Sequence, residues 1–60
     1  MYKYFIVYIY NDKNGVPGIN HLLYKLDNPI TYDDILSLEE LIKKEKEFSG
    51  VNILNYKSID

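Results

Sequence analysis

The chain has 60 residues and no cysteine, which excludes disulfides and thiolate metal sites as supports for so small a domain. Seven lysines, no arginine and nine acids give a formal net charge of −2, which argues against nucleic-acid binding by electrostatics. No stretch approaches the roughly 20 apolar residues that cross a bilayer, and no signal-peptide pattern is found, so we expect one cytoplasmic domain over residues 1–60.

The first predicted element is a strand over residues 2–10, a segment rich in aromatic and β-branched residues without glycine or proline. Successive side chains of a strand point to opposite faces. The side without tyrosine is predicted to pack beneath a helix through Phe5, Val7 and Ile9. The other side, here called the tyrosine face, is then expected to stay uncovered. Its members are Tyr2, Tyr4, Ile6, Tyr8 and Tyr10.

A turn and a second strand are expected next. Asn14-Gly15 supplies residues that tolerate positive φ, so the chain should reverse there into an antiparallel hairpin. The second strand is predicted from Gly18 or Ile19 through Leu26, because Pro17 cannot donate a ladder hydrogen bond.

A helix over residues 33–46 follows, with Thr31 as its N-cap and Asp34 at the capping-box spacing. A stripe at helical spacing is predicted to face the sheet, formed by Ile35, Leu38, Leu41 and Ile42. Ser49-Gly50 marks the stop, and residues 51–57 read as the third strand.

These elements predict an α+β fold of ββαβ order. The first strand is apolar on both sides, as a central strand should be, which gives a three-stranded antiparallel sheet of order 2-1-3. One helix can cover only one face of that sheet. The uncovered face is therefore the expected interaction surface.

No catalytic, cofactor or metal constellation is found. His21 lacks a nucleophile or a partner nearby in the sequence, and Asp33-Asp34 are explained by the preference of a helix start for negative charge. Residues 15–18 lack the following helix and the lysine of a phosphate-binding loop. The sequence therefore predicts a protein that is not an enzyme and uses no cofactor.

Four short motifs resemble small phage and prophage ββαβ proteins of low-GC Gram-positive bacteria and their phages. They are Tyr4-Phe5-Ile6-Val7, Gly18-Ile19-Asn20, Pro29-Ile30-Thr31 and the strand of residues 51–56. The resemblance implies an accessory protein that binds and inhibits a host protein, such as a defence component, and it assigns no site residue.

The expected mechanism is occlusion of a protein surface by the tyrosine face, because tyrosine is enriched at interface hot spots. A homodimer through this face, or through a strand edge, is expected as well as a host partner. The alternative from another class is a nucleic-acid-binding module that stacks bases on the aromatic sheet.

Overall fold

The computed structural model describes residues 1–59 and has the predicted ββαβ order. Its elements are β1 (Tyr2–Asn11), β2 (Pro17–Leu26), α1 (Tyr32–Lys46) and β3 (Gly50–Ser58). The strands form one sheet of order β2-β1-β3, and β1 is antiparallel to both neighbours. The predicted α+β class, strand order and single helix are confirmed.

The turn between β1 and β2 is organised by Asp12. Its Oδ1 accepts the N–H groups of Asn14 at 2.8 Å and Val16 at 2.9 Å, and its carbonyl accepts the N–H of Gly15 at 2.9 Å. Gly15 has φ of 82°, which an L side chain rarely adopts. This closed turn fixes the hairpin register, in which Tyr2 lies opposite Leu26.

Both ends of α1 have defined caps. At the start, the Thr31 hydroxyl accepts the N–H of Asp34 and the Asp34 carboxylate accepts the N–H of Thr31, which is a complete capping box. At the end, Glu47 adopts the left-handed conformation with φ 57° and ψ 38°. Its successor Phe48 donates to the Lys43 carbonyl at 3.0 Å. The sequence placed the stop at Ser49-Gly50, whereas the left-handed residue is Glu47.

The core lies between α1 and the tyrosine face, so the predicted choice of covered face is wrong. Tyr4, Ile6 and Tyr8 are only 6%, 0% and 2% exposed, and they pack with the helix residues Leu38 and Ile42. The side predicted to lie beneath the helix, which carries Phe5 and Ile9, instead faces away from it.

The neighbouring strands explain this reversal. Residues opposite one another in an antiparallel pair share a face. Most partners of the tyrosine face are apolar or aromatic, and Asn20, Gly18 and Ser58 are the exceptions. Those that pack against the core are Leu22, Tyr24 and Leu26 on β2, and Val51 and Ile53 on β3. On the other face, Lys3 lies opposite Lys25. The β3 partners of that face are also polar, namely Lys57, Asn55 and Asn52. The helix covers the face that is more apolar across all three strands.

The helix stripe is narrower than predicted. Leu38 and Ile42 are buried and Ile35 is half-buried, but Leu41 is exposed to solvent. A helix rises about 1.5 Å per residue against about 3.3 Å for a strand, so the 15 residues of α1 are shorter than the ten-residue strands. Tyr2, at one end of β1, is accordingly left exposed.

Candidate functional site: the open sheet face

The sheet surface opposite the helix has no second layer in the described residues. We call it the open face. It consists of four residues of β1, Lys3, Phe5, Val7 and Ile9, and the residues opposite them in the register. Its side chains come from Lys3, Phe5, Val7, Ile9, Ile19, His21, Leu23, Lys25, Asn52, Asn55 and Lys57.

The middle of the open face is apolar. Ile19 and Leu23 on β2 are each 65% exposed, while Phe5 and Ile9 on β1 are 37% and 39% exposed. Val7 is half-buried between them. Grouped apolar side chains held on a regular sheet are typical of a surface that contacts another molecule.

The stacked rings of Phe5 and His21 give this surface a defined shape. Phe5 stacks on His21 across the β1–β2 ladder, with ring centroids 5.1 Å apart and planes at 27°. Together with Val7 and Ile19 they line a shallow depression. Because the two rings pack against each other, a bound partner would contact a depression whose shape is set by their stacking.

Charge on the open face is entirely of one sign in residues 1–59. Lys3 lies directly opposite Lys25, and Lys57 lies opposite Phe5 on the other neighbouring strand, so three lysines share one end of the face. Of the nine acids in the sequence, Asp60 lies outside the described residues. The other eight are on the loops or on α1. A net acidic chain thus has lysines but no acidic residue on the three strands of its sheet.

The outer edge of β3 is obstructed by side chains. A register shift between Val7 and Tyr8 leaves Leu54 as an extra residue in β3, which is a β-bulge. The N–H of Ile53, just before it, donates to Oε2 of Glu39 on α1 at 2.8 Å. Two residues after it, the N–H of Tyr56 donates to the Asn55 side chain at 2.8 Å. Both donors are therefore unavailable to an added strand.

The outer edge of β2 is interrupted in a similar way. The N–H of His21 donates to Oδ1 of Asn20 at 2.8 Å, and Pro17 at the start of the strand has no N–H at all. Each outer edge therefore has positions where no N–H is available to an added strand. This disfavours edge pairing, one of the two association modes expected from the sequence.

The predicted partner-binding residues lie mainly inside the domain. The Tyr4 hydroxyl accepts the N–H of Ile30 at 2.9 Å, which ties the β2–α1 loop to the core. Tyr10 is half-buried and stacks on Phe48 at 4.1 Å. Its ring occupies the space above Gly18 where a Cβ would stand. Tyr2 is the one exposed member of the tyrosine face.

The described part of the chain shows no group of three or more potential metal ligands among its histidine and acidic residues. Within residues 1–59, no helix has the length and apolar character needed to span a membrane.

Fold and site together define the class of this protein: a ββαβ domain whose sheet has one face filled by a helix and one face open. No family model, curated protein or solved structure matches the chain.

Proposed function

We propose that this protein is a non-enzymatic protein-binding module whose open face covers a surface of its partner. The observation that carries the proposal is the exposure of Ile19 and Leu23 beside Phe5 and Ile9 on a regular sheet. Burying such side chains gains about 25 cal/mol per Å² of apolar surface. Because both strand edges are partly blocked, the face is the better interaction surface.

The biological setting that we propose is that of a phage-type accessory protein inhibiting a host protein by occlusion. The motif resemblance supports the setting, and the single open face supports the mechanism. Inhibition of this kind requires only that the covered surface be one that the host protein needs.

A second candidate is a nucleic-acid-binding module on the same face. The three lysines and the Phe5–His21 stack favour it. The burial of Tyr4 and Tyr8 removes the aromatic platform on which the idea first rested. The remaining aliphatic side chains cannot stack on bases, so protein binding is favoured.

The test compares two surface variants in affinity capture from host lysate with quantitative mass spectrometry. Ile19→Ser with Leu23→Ser alters the open face. Leu36→Ser with Leu41→Ser is the matched control, because these two leucines are also exposed but lie on α1. We expect the captured protein to be lost with the first variant and kept with the second.

Circular dichroism must show both variants folded. Retention of the captured protein by the open-face variant, or its loss only with the helix variant, would contradict the proposal.

A further inference from the structure

We infer that the open face binds an acidic protein segment, one that lays apolar side chains over the centre of the face and carboxylates over its lysine end. The inference rests on the proposed function and adds the chemistry and the orientation of the partner. Its basis is the separation of charge within the chain, since the three strands of the sheet carry lysines but no acidic residue.

The lysine end is unusual as a purely structural feature. Lys3 and Lys25 stand directly opposite each other, and like charges in that position destabilise a sheet. Lys57 adds a third positive charge on the same face. None of the three strands carries an acidic residue, so the sheet itself supplies no carboxylate to offset the repulsion, whereas carboxylates of a partner would do so.

The apolar centre identifies the partner as protein. Next to the lysines, Phe5, Val7 and Leu23 offer a surface for aliphatic or aromatic side chains. Phosphate groups would satisfy the lysines but leave these side chains exposed. An amphipathic segment with acids at one end satisfies both parts.

A second copy of this chain fits less well. Face-to-face packing with like ends together would set one lysine cluster against the other, and like-charge juxtaposition across an interface is unfavourable. In the reversed arrangement the lysines would meet the hairpin end, where the Asp12 carboxylate is already bound to its own turn. The charges therefore favour a different, acidic partner.

The test begins with selection of binders from a displayed library of random peptides, using the full chain as bait. We expect the enriched peptides to combine apolar residues with aspartate or glutamate. A fluorescein-labelled peptide of the enriched sequence then gives the dissociation constant by fluorescence anisotropy. Lys25→Glu should weaken its binding about fivefold, since an attraction becomes a repulsion. Lys13→Glu, the same charge change on the hairpin tip, should leave it unchanged.

Other outcomes separate this inference from the proposed function. Peptides that lose binding to Leu23→Ser but show no acidic enrichment, and no response to Lys25→Glu, would overturn the inference alone. Failure to obtain any peptide that depends on Leu23 would overturn the proposed function as well.

Two other possible occupants of the open face, nucleic acid and a second copy of the chain, are tested by separate measurements. Labelled single-stranded DNA or RNA that binds more tightly than the peptides, and is weakened by Lys25→Glu, would replace the acidic segment by nucleic acid. A doubled mass in light scattering that returns to the monomer mass in Leu23→Ser would replace it by a second copy.

Discussion

At the scale of single residues, the fold depends on a few groups that satisfy backbone donors and unusual dihedral angles. The Tyr4 hydroxyl, the Glu39 carboxylate and the Asp12 carboxylate each accept backbone N–H groups from another element or from a turn. A net hydrogen bond contributes about 0.5–1.5 kcal/mol, and a buried donor left without its partner costs about 1–3 kcal/mol. Such contacts matter in a domain this small.

Tyr4→Phe tests the hydrogen bond between the β2–α1 loop and the core. The ring stays in the core, but the Ile30 N–H loses its acceptor, so we expect the free energy of unfolding to fall by about 1 kcal/mol. Urea denaturation followed by circular dichroism measures the change. Tyr2→Phe is the control, because the Tyr2 ring is exposed. Equal stability of the two variants would show that the Tyr4 hydroxyl contributes nothing.

Glu47→Gly should stabilise the protein by about 1 kcal/mol. A non-glycine residue in the left-handed region carries a steric cost of roughly 1–2 kcal/mol, and glycine removes most of it. Thermal unfolding should shift upward by about 4–8 °C for a domain of this size. Glu45→Gly, inside the helix, should instead lose about 1 kcal/mol. A loss of stability in both variants would contradict the left-handed cap.

At the scale of elements, α1 and β3 are linked by the hydrogen bond from Ile53 to Glu39 beside the bulge. By helical spacing, Glu39 would be the surface partner of Lys43 four residues on. The structure directs its carboxylate to β3. Helical spacing cannot reveal this contact, because it depends on where the bulge brings Ile53.

Glu39→Ala should reduce the free energy of unfolding by about 1 kcal/mol or somewhat more, because a half-buried N–H loses a charged acceptor. Glu39→Gln keeps a carbonyl oxygen in place and should lose less. Glu40→Ala, an exposed neighbour on the same helix, provides the baseline. Hydrogen exchange at Ile53 locates the effect. If its protection is the same in the wild type and in Glu39→Ala, the link is absent.

At the scale of the whole molecule, the strand order and class could be predicted but the covered face could not. Residues 2–10 alone present two apolar sides, so one strand cannot say which side meets the helix. The register supplies the answer, since Leu22, Leu26 and Val51 fall opposite the tyrosine face. That information is in the sequence, but it becomes usable only when all three strands are aligned together.

The two faces can be distinguished by paired double variants. Tyr4→Ala with Tyr8→Ala should unfold the protein. Each buried aromatic truncation costs about 3–5 kcal/mol, while 60 residues at about 0.05–0.15 kcal/mol each give about 3–9 kcal/mol in total. Phe5→Ala with Ile9→Ala, on the open face, should remain folded by far-ultraviolet circular dichroism. The reverse pattern would restore the face assignment made from the sequence.

The ring packing on the covered side has an optical consequence. The chain has seven tyrosines and no tryptophan. Tyr4 meets Tyr56 edge-on at 5.9 Å and Tyr10 stacks on Phe48, so several phenol chromophores lie in an ordered, asymmetric environment. Near-ultraviolet circular dichroism, which reports fixed tertiary packing, should therefore follow the covered side. The open face, with one phenylalanine and one histidine ring, should be nearly silent in that spectrum. A bound peptide without aromatic residues would then leave the signal unchanged, whereas core damage would abolish it.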